Sequence, residues 1–197
     1  MVKSQAVLVV EKSPDLGFYI SRILQEGGHN TKLTDSTKSA VNIISSAGIS
    51  LVAVSTELGK DDNGYCLCYA IRGEHGYGTA VDEVVPTGKP SDKLSFFQRR
   101  RVRNAQARIY AEDFFDNDIE KAKKFLKKYE HMPIIIMRNP HDALKYSSTS
   151  INPEIGFSGL VDGKPIIDGN QIAYEFNCSE ERFKRNLLAE VNRIVKK

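Results

Sequence analysis

The chain has 197 residues, with 28 Lys and Arg against 25 Asp and Glu, a net charge of +3, too slight a bias to argue for nucleic acid by itself. No apolar run approaches the roughly 18–20 residues that span a bilayer, and residues 1–5 lead straight into a strand-like run with no secretory pattern. Cys66, Cys68 and Cys178 are few and odd in number, which fits a reducing cytoplasm better than a disulfide scaffold.

Residues 6–10 (A-V-L-V-V) form a continuous apolar run, the mark of a strand buried on both faces of a parallel sheet. Ser13 as N-cap and Pro14 in the first turn open a helix with Leu16, Tyr19, Ile20, Ile23 and Leu24 as its stripe, stopped by Gly27-Gly28. Residues 30–34 read as a second strand. Asp35 or Ser36 caps a second helix with Ala40, Val41, Ile43 and Ile44 inward, and residues 51–54 give a third strand. Asn63-Gly64 closes the following loop, and a third helix starts at Tyr65 with Leu67, Ala70 and Ile71 apolar.

There the rhythm breaks. Residues 73–89 are rich in glycine and charge, with only a brief V-x-x-V-V patch. Residues 91–129 read as one or two helices. Leu94, Phe97, Arg101 and Ala105 share one face; Ile119, Ala122, Phe125, Leu126 and Tyr129 share another, separated by the turn signal F-F-D-N-D. Residues 133–137 (P-I-I-I-M) resume the pattern as a fourth strand, residues 141–147 give a short fourth helix, and residues 157–161 a fifth strand. Residues 164–168 and 171–176 read as a hairpin across Asp168-Gly169-Asn170. A last helix carries Phe183, Leu187, Leu188, Val191, Ile194 and Val195. The alternation demands an α/β fold, a parallel sheet with helices on both faces.

In order and spacing, residues 6–72 and 131–197 resemble the receiver domain of bacterial response regulators. The likeness rests on V-L-V-V-E-K-S-P-D-L (7–16), L-V-A-V-S-T-E-L (51–58) with D-N-G-Y (62–65), M-P-I-I-I-M (132–137) and G-F-S-G-L-V-x-G-K-P (156–165). The resemblance implies a flavodoxin-like (CheY-like) three-layer, doubly wound sheet of five parallel strands in the order 2-1-3-4-5. A helical insertion over 73–131 would lie between the third helix and fourth strand of a single domain over 1–197, with the hairpin before the last helix.

A working receiver also implies two acids after the first strand to hold magnesium, and an aspartate at the end of the third to accept a phosphoryl group. A hydroxyl follows the fourth strand and a lysine ends the fifth. Here those positions read Glu11 and Lys12, then Ser55, Arg138 and Lys164. Magnesium wants oxygen ligands and negative charge, and two bases beside it are repulsive at short range. The resemblance is therefore to a degenerate pseudo-receiver, similar to that of a bacterial gliding-motility protein, through N-G-Y-x-x-C and P-I-I-I-M-x-N-P. It implies a signalling and interaction module of two-component type that is not an enzyme and needs no cofactor or metal. Glu11, Lys12 and Arg138 would form an ion-pair cluster in place of the ion.

Two alternatives stand beside that reading. The acceptor could be relocated to Asp61 or Asp62 in a live phosphorelay, against the simpler account of a solvated loop; Ser55 itself would more simply be a neutral strand-end residue. The basic run Arg99, Arg100, Arg101, Arg103 and Arg108, beside Phe96 and Phe97, could contact nucleic-acid phosphates. Against it stands a solvated helix paired with Glu112, Asp113, Asp116, Asp118 and Glu120. The expected partners are proteins, a homodimer included, through the face of helix 4, strand 5 and helix 5 or through the insertion, in preference to nucleic acid or membrane. Neither Cys66-x-Cys68 nor the scattered His29, His75, His131 and His141 has metal-ligand spacing.

Overall fold

The computed structural model describes residues 6–59, 62–85, 94–129, 131–138, 160–161, 164–165, 174–175 and 180–195. They divide into two compact units, one from Met1–Cys68 with Met132–Lys197, the other Tyr69–His131.

The first unit is a parallel α/β sheet. Strand β1 (Ala6–Val10) pairs on one side with β2 (Asn30–Thr34) and on the other with β3 (Ile49–Ser55), which in turn pairs with β4 (Ile134–Arg138), all parallel. All five residues of β1 are buried, because a strand second from the edge of a parallel sheet meets helices on both faces. On one face Val7, Val9, Leu51, Ala53, Ile135 and Met137 pack with Ile20, Ile23 and Leu24 of α1 (Pro14–Glu26) and Leu187 and Val191 of the last helix, α7 (Glu180–Val195). Leu8, Val10, Val52, Val54 and Ile134 are equally buried and point the other way by strand alternation. On that side α2 (Thr37–Ser46) packs against β1 through a helix whose Ala40, Val41 and Ile44 are buried. Ser13 caps α1 by accepting from the Leu16 amide at 3.5 Å, with Pro14 at the first helical position.

Four strands in the order β2-β1-β3-β4 make the body of the sheet, against the expectation of five full strands. Two short strands, β5 (Leu160–Val161) and β6 (Lys164–Pro165), form a separate antiparallel ribbon. The place beside β4 is held by only two residues, β7 (Tyr174–Glu175), parallel to it. The expected fifth strand over 157–161 is thus not the neighbour of β4, and the hairpin is shifted: Lys164 pairs with Val161. Asp-Gly, the sequence between β5 and β6, is a favoured hairpin signal; residues 162–163 themselves lie outside the described residues. The fourth helix expected over 141–147 lies outside the described residues.

The second unit is helical: α4 (Tyr77–Val84), α5 (Phe96–Phe114) and α6 (Ile119–Lys128), with α3 (Gly64–Arg72) running into it. Helix α4 falls where the sequence reads only as a glycine-rich stretch. Gly76, at φ 65°, opens it with a left-handed residue, and Ala80 and Val85 pack with Leu94, Val102, Ala105 and Ile109. The expected face Leu94, Phe97, Arg101 and Ala105 is also corrected, since Phe97 and Arg101 are exposed. Burial follows Val102, Ala105 and Tyr110 instead. A ladder of rings, Phe114, Tyr110, Phe125 and Tyr129, joins α5 to α6. Between those helices Asp116 and Asn117 take positive φ, and the Asn117 amide returns to the Ala111 carbonyl at 2.8 Å, which satisfies one of the open carbonyls at the end of α5.

Candidate functional site

The carboxyl edge of the sheet is where a doubly wound fold collects its chemistry. Register decides which residues arrive there. Val10 stands opposite Val54 and Ser55 opposite Met137, so Glu11, Ser55 and Arg138 leave their strands at nearly the same level, with Lys12 one residue further on. Lys164 is not among them, because its strand belongs to the separate ribbon. Asp61 lies outside the described residues.

Glu11 is 6% exposed. Its backbone amide still donates to the Thr34 carbonyl, which extends the β1–β2 ladder by one bond. Its carboxylate folds back along the chain, and Oε1 accepts from the Ser13 amide at 2.9 Å. The second oxygen, Oε2, is buried and has no hydrogen-bond partner among the described residues. A half-satisfied buried carboxylate is expensive unless a cation or donor reaches it. Lys12 is exposed and is not that cation among the described residues, so the three-membered ion-pair cluster with Lys12 as a member is corrected.

Ser55 is 5% exposed and ends β3. The loop after it is tied down near both of its ends. Thr56 donates its amide to the Met137 carbonyl, and the Gly64 amide returns to the Thr56 carbonyl at 3.1 Å. Glu57 and Asn63 form an antiparallel bridge. Asn63 Oδ1 accepts from the amides of Tyr65 and Cys66, both at 3.0 Å, and so caps α3. Gly64 lies against the end of the strand: a Cβ there would meet the Ser55 carbonyl oxygen at 2.2 Å.

Asp62 is not a solvated loop acid. Its Oδ2 accepts from the Thr37 amide at 2.8 Å and its Oδ1 from the Thr37 hydroxyl at 2.6 Å. The local cap, Ser36, makes no side-chain bond to its helix, so a residue 25 positions away supplies the acceptor and negative charge that the first turn of α2 lacks. Residue chemistry alone, an acid in a polar loop, did not reveal this; only the fold brings Asp62 to a helix start.

In the second unit the basic run lies along α5. Arg108 pairs with Glu83 of α4, while Arg99, Arg100, Arg101 and Arg103 are exposed. Three of the five acids expected to neutralise the run are engaged elsewhere. Asp113 meets His75 Nε2 at 2.7 Å, Asp118 Oδ1 accepts from the Lys121 amide to cap α6, and Glu120 pairs with Lys123. His75 is further held between the Tyr110 and Phe114 rings, and its carbonyl accepts from Gln106 Nε2. Burial pushes the Tyr110 hydroxyl well above the usual phenol range, and it donates to the Ala70 carbonyl at 2.8 Å. Among the described residues no group of three or more His, Cys, Asp and Glu is placed to hold a metal, and no helix is long and apolar enough to cross a membrane.

Helices alternate with parallel strands in the order 2-1-3-4, and the working edge lies at the strands' carboxyl ends: this is the flavodoxin-like arrangement that receiver domains use. Comparison with solved structures agrees at the level of fold. The chain is similar to a sensor protein from Polaromonas sp. JS666, with a TM-score of 0.51 and 12% identity over 98% of this chain and 96% of that one. It is also similar to a response regulator receiver domain protein from Clostridium thermocellum (TM-score 0.46, 12% identity, 96% and 95% covered). The Francisella response regulator 1452 receiver domain matches at a TM-score of 0.45 and 13% identity, over 96% and 98%. No family model matches the chain, and the search of curated proteins gives no match.

Proposed function

We propose that the chain is a response-regulator-like signalling module of the pseudo-receiver type, which acts through protein–protein contacts without aspartyl phosphorylation. One observation carries the reading. The ends of β1, β3 and β4 present Glu11, Ser55 and Arg138, a single carboxylate where magnesium chemistry wants several. Of the two described acids of the following loop, Glu57 is exposed and Asp62 is spent on capping α2. A loop held by that cap, by the Glu57–Asn63 bridge and by the Gly64 amide suits a fixed surface better than a phosphate-driven switch. In this reading the chain is one receiver-like domain with 73–131 inserted. It resides in the cytoplasm, is not an enzyme, and meets its partners through the edge that ends in α7 or through the insertion.

The test is intact-mass measurement after incubation with acetyl phosphate and magnesium. An unchanged mass is expected. A stoichiometric phosphoryl adduct that disappears in Asp62→Asn or Asp61→Asn would instate a relocated acceptor in its place.

A further inference from the structure

The first turns of α5 carry the densest run of one sign of charge in the chain: residues 94–111 hold five arginines and neither Asp nor Glu. Only Arg108 is paired among the described residues, with Glu83. Beside the other four stand Phe96, 71% exposed, and Phe97, 75% exposed, their rings edge to face at 5.8 Å between centroids. Two fully presented phenyl rings among unneutralised guanidinium groups are unusual for a solvated helix, which hides its rings and interleaves its charges.

We propose that this face binds single-stranded nucleic acid. On a helix, residues three, four and seven apart share a side. That sets Phe96, Arg100 and Arg103 in one row and Phe97, Arg101 and Asn104 in the next. Rings and cations therefore share one surface, the rings at the start of the helix and the arginines just beyond them. A membrane-binding helix segregates them into an apolar face and a charged one, and a protein interface excludes charge from its apolar centre. Rings and cations on a shared face are what a single strand needs: its bases stack on aromatic faces in any sequence while arginines meet its phosphates. The opposite side of the same turns is anchored, with Val102 and Ala105 buried against α4. The Ser95–Gln98 capping box fixes where the helix starts. The surface is thus presented on a rigid element and does not have to order itself on binding.

The test uses the full chain and fluorescein-labelled oligo(dT) of twenty nucleotides, followed by anisotropy. With four arginines engaged, log K should fall against log salt with a slope of about −3, roughly a 50-fold loss between 50 and 200 mM. The double variant F96A/F97A should weaken binding on the order of tenfold or more per ring and leave that slope unchanged, because stacking carries no counterions. R100Q/R103Q should reduce the slope by about 1.4. All four side chains are exposed, so each variant keeps its fold, which a circular-dichroism melt checks. The proposal is overturned by an absence of binding at 50 mM salt, or by binding that ignores the phenylalanines. It is equally overturned if vesicles of anionic phospholipid, but not oligo(dT), respond to the same variants.

Discussion

Replacing Gly64 by alanine probes the carboxyl edge most directly. Its Cβ would lie 2.2 Å from the Ser55 carbonyl oxygen, 3.0 Å from the Ser55 carbonyl carbon and 3.0 Å from Val54 Cγ2. The closest clash is with backbone, so no rotamer change relieves it; either the first turn of α3 or the last residue of β3 must move. Moving the helix strains the Gly64 amide bond to Thr56, and moving the strand strains the Ser55–Met137 register. Overpacking that displaces backbone costs about 1–3 kcal/mol, occasionally more, and two hydrogen-bonded elements set this case at the upper end. Alanine recovers about 0.5–1 kcal/mol of chain entropy, leaving a net loss of roughly 2–3 kcal/mol. Gly48→Ala is the control, since nothing lies within 4 Å of its Cβ position, and it should be neutral or stabilising by a few tenths of a kcal/mol. Urea unfolding followed by circular dichroism measures both. Equal midpoints for G64A and G48A would show that α3 does not start hard against the strand end, and the account of a tied-down edge would fail with it.

Three further outcomes follow from the same contacts. Asp62→Ala should cost about 1–2 kcal/mol as a lost cap and charged acceptor, and a double-mutant cycle with Thr37→Ala should be strongly non-additive; additive losses would show that the pair is not formed in solution. Lys184 Nζ meets Glu26 Oε2 at 2.5 Å, and with Arg22 it holds that carboxyl below its ordinary value of 4.5. The folded state therefore favours the ionised form. The stabilisation is complete above 4.5 and is lost as pH falls through the folded value, so Lys184→Met should lower the neutral plateau slightly and flatten the acid limb, the two proteins converging at low pH. Tyr110→Phe should cost about 1 kcal/mol by removing the donor to the Ala70 carbonyl. Because burial raises the phenol, the unfolded chain ionises first above pH ~10 and stability declines from there; a Tyr110→Phe variant with the same alkaline limb would contradict this.

Most of the sheet is legible in the sequence because its signals are local. The apolar runs 6–10, 51–54 and 133–137 read as strands buried on both faces, and Ser13-Pro14 is a helix start with two reasons behind it. The helical unit was half legible. A ring ladder along α6 shows at helical spacing, whereas α4 is capped by Gly76 in a conformation that reads as a turn, which hides about two turns of packed helix behind glycines. On α5 the stripe was assigned one row off, because Phe97 is apolar yet lies outside. Hydrophobicity indicates what a residue prefers, not what the fold presents, and a phenylalanine left at 75% exposure breaks the rule that periodicity relies on.

The candidate site shows the same division more sharply. That Ser55 and Glu11 meet at one edge follows from counting residues along parallel strands. The role of Asp62 does not, because its partner is 25 residues earlier and the need it meets, an uncapped helix behind Ser36, is invisible until the helix is placed. The charge on α5 makes the converse point. In sequence the arginines are followed at once by acids, and neutralisation is the economical inference. In the folded chain Asp113, Asp118 and Glu120 each have nearer work, with His75, the Lys121 amide and Lys123. Adjacency in sequence therefore overstated the pairing: 19 residues of helix separate the start of α5 from its end by about 27 Å, several times the reach of an ion pair. That length is why the basic face is left with its charge.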